Sequence, residues 1–282
     1  MVKKIAVIQD LSGFGKCSLT AVIPVLAVMG IQACPLPTAV LSAQTGYPSY
    51  YMDDFTDRME YFRLEWEKMK VDFDAIYTGF IASEQQIENI FRFLDSFSND
   101  ENFLIVDPVL GDDGEVYDMF TPKLCQQMVR LAERADVITP NVTELCLLCG
   151  EEYKKVAEQT EKEAVIQMVK EMALRFQKRG PRRIIVTGIH FVENGVEQVA
   201  NLALDDDEIL LYQCEKMGCS YSGTGDLFAS VVTGGSVRGD SLQEILEEAG
   251  EFLQKSIADA AKEGIPGPDG VNFEKFLHLL MK

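Results

Sequence analysis

Apolar positions along the chain fall into two rhythms that alternate. Short β-rich runs recur at Ile5-Ala6-Val7-Ile8, Ala75-Ile76-Tyr77-Thr78, Phe103-Leu104-Ile105-Val106, Val137-Ile138-Thr139 and Ile184-Ile185-Val186-Thr187. Between them, residues 87–97, 122–135 and 161–177 mix apolar and charged positions as the faces of helices do. Strand runs separated by helical stretches predict βα units around a mostly parallel sheet, with the apolar helix faces covering it. Residues 192–213 change the pattern. Gly195, the Val196-Glu197-Gln198-Val199-Ala200 alternation and Ile209-Leu210-Leu211-Tyr212 predict antiparallel structure at a sheet edge. Residues 241–261 then form an amphipathic helix pattern, which Gly264-Ile265-Pro266-Gly267-Pro268-Asp269-Gly270 ends ahead of a short terminal helix. No fixed-period repeat and no low-complexity linker interrupts the chain, so one α/β domain over residues 1–282 is expected.

Composition narrows the partners. A chain of 282 residues with 47% apolar content is long enough for one large α/β core or two small domains. The 26 basic and 45 acidic residues give a formal charge of −19, which argues against a nucleic-acid backbone as partner. No uncharged apolar run reaches membrane-spanning length, and Met1-Val2-Lys3-Lys4 leads straight into the first strand run. The expectation is a cytoplasmic protein without membrane contact. Seven cysteines, an odd number, are too sparse for a disulfide scaffold, so reduced thiols are expected. Cys146-Leu147-Leu148-Cys149 has CxxC spacing, but it lies in an apolar helical run without a second pair or a nearby histidine. Buried structural cysteines are expected there. His190, after a strand, and His278, in the terminal helix, are expected to be peripheral or locally hydrogen-bonded.

Candidate chemistry concentrates where strands or loops give way to helices. In Cys219-Ser220-Tyr221-Ser222-Gly223-Thr224-Gly225-Asp226-Leu227, two glycines and an acid stand where a loop turns into an apolar helix. Free N–H groups at such a turn can hold an anion, and Asp226 can take a proton from an attacking hydroxyl. The same residues also suit plain helix capping. Three other segments lie beyond strand ends, where ligands gather in open parallel sheets. Asp107-Pro108-Val109-Leu110-Gly111-Asp112-Asp113-Gly114 has acids for a hydrated Mg²⁺, or forms a plain acidic turn. In Thr139-Pro140-Asn141-Val142-Thr143-Glu144, Asn141 can orient water or phosphate and Glu144 can hold a metal-bound water, or the segment caps a helix. Thr187-Gly188 offers a nucleotide contact. Gly15-Lys16 looks like a truncated Walker A, but Asp10 stands at its first glycine and Cys17 at its Ser/Thr position, which argues against a P-loop. Acids for a cation, backbone donors for phosphate and a separate carboxylate are the parts that phosphoryl transfer needs.

The ordered set Ile8-Gln9-Asp10-Leu11-Ser12-Gly13-Phe14-Gly15, Thr45-Gly46-Tyr47, Thr78-Gly79-Phe80, Asp107 to Asp112, Thr139 to Glu144 and Gly223-Thr224-Gly225-Asp226 resembles the ribokinase-like superfamily. Within it the likeness is to the vitamin-kinase branch of pyridoxal and hydroxymethylpyrimidine kinases, over nearly all of the chain. The resemblance implies a three-layer α/β/α sandwich with small antiparallel edge structure. It also implies an ATP-dependent kinase acting on a primary alcohol of a small heteroaromatic ring. By that analogy Asp226 is the base, and Gly223, Thr224 and Gly225 form the anion hole. Asp107, Asn141 and Glu144 serve phosphates and Mg²⁺, Asp107 and Glu144 being the metal side. Asp112 belongs to a flexible acidic segment near the phosphates, and Thr187 lies on the nucleotide side. Asp10, Thr45, Tyr47 and Phe80 surround the vitamin ring. The family also admits a potassium-type ion near the anion hole, and it implies a homodimer. Gln44-Thr45-Gly46-Tyr47 followed by Tyr50-Tyr51-Met52 looks more like pyridoxal kinase, whereas Asp10-Leu11-Ser12-Gly13 is closer to the hydroxymethylpyrimidine side. Phe80 lacks the hydroxyl of the tyrosine often found at that point. Pyridoxal, pyridoxine or pyridoxamine is the expected acceptor, with hydroxymethylpyrimidine or dual specificity as the alternative. A metabolite-binding regulator without catalysis is the nonenzymatic alternative.

Overall fold

The structure is a computed structural model that describes residues 2–117 and 119–282. In chain order its elements are β1 (Lys4–Ser12), α1 (Ser18–Val28), β2 (Gln32–Leu41), β3 (Met52–Asp54), α2 (Thr56–Lys68), β4 (Ala75–Thr78), α3 (Glu84–Phe97) and β5 (Phe103–Val106). Next come the short pair β6 (Gly111–Asp112) and β7 (Glu115–Val116), then α4 (Pro122–Arg134), β8 (Val137–Ile138), α5 (Val142–Cys149), α6 (Tyr153–Ala157) and α7 (Lys162–Gln177). Strands β9 (Arg183–Glu193), β10 (Val196–Asp205) and β11 (Glu208–Glu215) precede α8 (Thr224–Arg238) and α9 (Leu242–Glu263). The chain forms two compact units, one of Met1–Ile105 with Met217–Lys282 and one of Val106–Lys216.

In the first unit the strands lie in the order β5-β4-β1-β2-β3. Strand β1 runs parallel to both β2 and β4, and its Ile5 to Ile8 are fully buried, which is why that run is apolar on both faces. Each isoleucine and valine of the run contributes roughly 1.5–3 kcal/mol on burial. Helix α8 packs tightly on the end of α1, since a Cβ on Gly234 would meet Met29 Sδ at 2.5 Å. Helix α9 starts on a capping box in which the Ser241 hydroxyl accepts from the Glu244 N–H and Glu244 accepts from the Ser241 N–H at 2.9 Å.

In the second unit β8 runs parallel to β9, and β9, β10 and β11 form an antiparallel meander, as the alternation of residues 192–213 predicts. Asn194-Gly195 turns β9 into β10 with both residues at positive φ, 54° and 78°, the backbone of a tight hairpin. Thr187-Gly188 does not follow a strand as the sequence suggests. Both residues lie inside β9, where Gly188 takes φ 68° and the register against β10 shifts between Ala200 and Leu202. His190 likewise lies inside β9.

Three elements escape the periodicity. Helix α1 is apolar on every side with Pro24 inside it, β2 carries Pro35 and Pro37, and α2 buries only Met59. The two prolines of β2 precede the part that pairs with β3, which begins at Ala39, so this stretch lacks that second partner. The terminal helix is 3₁₀, Phe273–Leu280. All seven cysteines are free, and Cys146 and Cys149 lie on α5, with Cys149 donating to the Met172 carbonyl at 3.6 Å. No helix among the described residues is long and apolar enough to cross a membrane.

Candidate functional site

The first unit carries the carboxylates Asp10 and Asp226. Asp10 leaves the buried end of β1 and accepts a hydrogen bond from Ser12 Oγ at 2.7 Å. Burial pushes its carboxyl up, against the hydrogen bonds from Ser18 and Ser12. Asp226 lies half-buried in the first turn of α8. Both acids act on one thiol. Burial, then the charges of Asp226 and Asp10, push Cys17 up to about 12, so Cys17 is an inert neutral group between them.

The start of α8 has no side-chain cap. Its N-cap is Gly223, which brings no capping side chain and takes φ 81°. The neighbouring hydroxyls are turned elsewhere. Thr224 Oγ1 donates to the Tyr221 carbonyl at 3.0 Å, and Ser222 Oγ accepts from Gln44 Nε2 at 3.1 Å. A Cβ on Gly223 would lie 2.2 Å from the Lys16 carbonyl oxygen, whereas one on Gly225 would meet nothing within 4 Å. The N-cap of α8 thus brings no side-chain cap, and the space a Cβ on Gly225 would enter is open.

Tyr47 meets a turn near the C-terminus. It donates its hydroxyl to Asp269 at 2.5 Å and packs tilted against the exposed ring of Phe14, with centroids 5.4 Å apart and ring planes at 50°. Burial and the hydrogen bond to Asp269 push the Tyr47 phenol up to about 12. Thr45 is exposed beside it, and Phe80 lies half-buried on the loop after β4, its carbonyl accepting from Thr38 Oγ1 at 2.9 Å. Two builders of this site carried no role in the sequence reading. Gln44 is buried and donates from Nε2 to Ser222 Oγ and to the Pro268 carbonyl, both at 3.1 Å, tying the Thr45-Gly46-Tyr47 turn to the loop before α8. Asp269 anchors Tyr47 from a Gly/Pro turn that reads only as a helix stop. The Walker-like Lys16 makes its bonds within the protein: Nζ donates to the Val271 carbonyl, to Asn272 Oδ1 and to Glu274.

The second unit brings together Asp107, Asn141, Glu144 and Thr187. Here the capping alternative is realised. Asn141 Oδ1 accepts from the Glu144 N–H at 2.9 Å while Glu144 Oε2 accepts from the Asn141 N–H at 2.8 Å. The box does not exhaust either side chain. Asn141 Nδ2 donates to the Gly111 carbonyl at 2.9 Å, and Glu144 Oε1 accepts from the Leu110 N–H at 3.2 Å, so the acidic loop is held by the start of α5. Thr187 pairs with Asn141 in a parallel bridge, its N–H donating to the Pro140 carbonyl at 2.9 Å. Asp113-Gly114, at φ 48° and 84°, turns the β6–β7 hairpin that presents Asp112 on the surface, and the Gly114 N–H donates to Thr143 Oγ1 at 2.9 Å.

Asp107 and Glu144 are both buried. Burial pushes Asp107 up to about 7, against the hydrogen bond from Thr139 Oγ1 at 3.0 Å. Burial and then the Asp107 charge raise Glu144 well above its ordinary range, with Asp112 adding to it. Two like charges out of water call for a cation. Among the described residues no three His, Cys, Asp or Glu side chains converge on one cation position.

Fold and site define a class: an α/β kinase for small molecules, with a mostly parallel sheet flanked by helices. The chain belongs to the phosphomethylpyrimidine kinase family, which matches residues 8–268. It is 39% identical, with TM-score 0.90, to a Bacteroides thetaiotaomicron protein provisionally assigned as a phosphomethylpyrimidine kinase and crystallised with pyridoxal, over 99% of this chain and 96% of that one. It is 27% identical to the pyridoxal kinase of Dictyostelium discoideum over 89% of this chain and 83% of that protein. It is 26% identical to the hydroxymethylpyrimidine/phosphomethylpyrimidine kinase of Bacillus subtilis over 65% of this chain and 63% of that protein.

Proposed function

We propose that the chain transfers the γ-phosphoryl group of ATP to the 5′-hydroxymethyl oxygen of pyridoxal, pyridoxine or pyridoxamine. The observation that carries this reading is the uncapped start of α8, where Gly223 supplies the turn and Asp226 follows in the first helical turn. The acceptor oxygen attacks the γ-phosphorus, the bond to the β,γ-bridging oxygen breaks, and Asp226 takes the hydroxyl proton as ADP departs. Amides of Gly223, Thr224 and Gly225 receive the charge that grows on the phosphoryl oxygens. Asp107 and Glu144 would hold hydrated Mg²⁺, which neutralises phosphate charge when bound, with Asn141, Asp112 and Thr187 on the nucleotide side. Asp10, Thr45, Tyr47 and Phe80 recognise the ring.

The pyridoxal found with the Bacteroides relative and the kinase from Dictyostelium favour vitamin B6. Hydroxymethylpyrimidine is the second reading, favoured by the family match, the Bacillus relative and the Asp10-Leu11-Ser12-Gly13 opening. Mixing purified protein with MgATP and each alcohol separately tests the reading, since a phosphorylated B6 product supports it and its absence rejects it. The same assay run in sodium and in potassium salts tests the potassium-type ion. A cytoplasmic homodimer, implied by the resemblance, completes the proposal.

A further inference from the structure

Lys16 and Ser18 both lie in the left-handed region, at φ 52° and 53°, where a residue with a Cβ stays only if its surroundings hold it. Glycine would take the same backbone without that strain. What lysine adds lies at the far end of its side chain. Its Nζ donates to the Val271 carbonyl at 3.3 Å and to Asn272 Oδ1 at 3.2 Å, and it pairs with Glu274 at 3.0 Å. Asn272 is itself fixed. Its Nδ2 donates to Asp259 at 3.0 Å and to Glu263 at 2.9 Å, so the ammonium is tied through Asn272 to α9.

The main chain of the same residue touches the turn that carries the chemistry. The Lys16 carbonyl occupies the space a Cβ on Gly223 would need, and Gly270 is close enough that its own Cβ would lie 3.0 Å from Lys16 Cβ. The next residue, Cys17, is the N-cap of α1 and feels the charge of Asp226. A lysine serving phosphate would need its ammonium aimed at the ligand, and this one is shared among three acceptors of the protein.

We propose that Lys16 is a positioning residue for phosphoryl transfer. Its ammonium ties the 15–18 loop to the 271–274 segment, and that tie keeps the Lys16 carbonyl as the seat of Gly223, so that the Gly223-Thr224-Gly225-Asp226 turn holds its geometry. Lys16 has this role only if the chain is the kinase proposed above. A small displacement of such a turn slows the chemical step more than it weakens binding.

The test compares Lys16→Met, Lys16→Gly and Lys16→Arg with the wild-type chain in steady-state assays of MgATP with pyridoxal and with hydroxymethylpyrimidine, beside thermal melts. Lys16→Met should lower kcat about 10- to 100-fold while KM for ATP and for the alcohol changes less than about twofold. Lys16→Gly relieves the backbone and should melt no lower than Lys16→Met, yet turn over as slowly. Lys16→Arg should recover most of kcat. Turnover near wild type in both Lys16→Met and Lys16→Gly overturns the role, as does a loss that follows melting temperature without rescue by arginine. A raised KM for ATP at unchanged kcat overturns it too, because that marks a phosphate ligand. A wild-type chain that phosphorylates neither alcohol rejects the kinase reading itself, whereas active wild type with unaffected variants rejects Lys16 alone.

Discussion

Asp226 and Asp107 are both carboxylates at element ends, and their surroundings give them different work. Asp226 is half-buried in the first turn of α8, where the proposed function puts the base. Asp226→Asn should leave the fold and ring binding nearly intact and lower kcat about 10²- to 10⁴-fold; turnover near wild type would remove Asp226 from the role. Asp107, by contrast, is buried and pushed up to about 7 from 3.8. Between those two pH values the native chain holds a proton that the unfolded chain has released. Its contribution is therefore fully present below about pH 4 and is lost as pH rises toward 7. In melts without Mg²⁺ or nucleotide, the stability of wild type relative to Asp107→Asn should fall across that window. A constant difference would contradict the buried, raised carboxyl. At this scale residue type and spacing make the Asn141–Glu144 capping box legible in the sequence. The sequence is silent on Gln44 and Asp269, whose importance comes from partners 178 and 222 residues away.

Two helix starts show how an element can use similar residues for opposite ends. At α5 the Asn141–Glu144 box caps the first turn with side-chain oxygens, whereas at α8 the N-cap is a glycine that brings no capping side chain, which is where the proposed function puts the phosphoryl group. Glu144→Gln retains a box-forming amide, so it should keep the fold while raising the Mg²⁺ needed for half-maximal rate, leaving affinity for the free vitamin unchanged. An unaltered Mg²⁺ titration would take Glu144 out of the metal role. Gly223 and Gly225 should separate in the same way. Gly223→Ala combines a left-handed backbone with a clash against Lys16 and should lower melting temperature and turnover together. Gly225→Ala meets open space, so it should melt like wild type while impairing turnover with MgATP; normal kinetics in that variant would show that no anion sits there. Elements with one clear apolar rhythm, such as α3, α4 and α9, were legible in the sequence. Helix α1 and strand β2 were not, because Pro24, Pro35 and Pro37 read as breakers until neighbouring elements cover them.

Over the whole molecule, a formal charge of −19 means that the proposed phosphate binding needs local amides and a cation rather than a basic surface. If the chain assembles as a homodimer, its mass in solution should stay at twice 31.5 kDa across a dilution series; a monomeric mass throughout would reject that assembly. The acceptor is the point on which the account turns, since the chemistry of transfer suits either vitamin and only the ring contacts distinguish them. A single competition reaction containing the purified chain, MgATP, pyridoxal, pyridoxine, pyridoxamine and hydroxymethylpyrimidine, with each phosphorylated product quantified separately, measures it directly. The account predicts preferential phosphorylation of the vitamin B6 alcohols at the 5′-hydroxymethyl group. Selective phosphorylation of hydroxymethylpyrimidine, or transfer to none of the four, would contradict it.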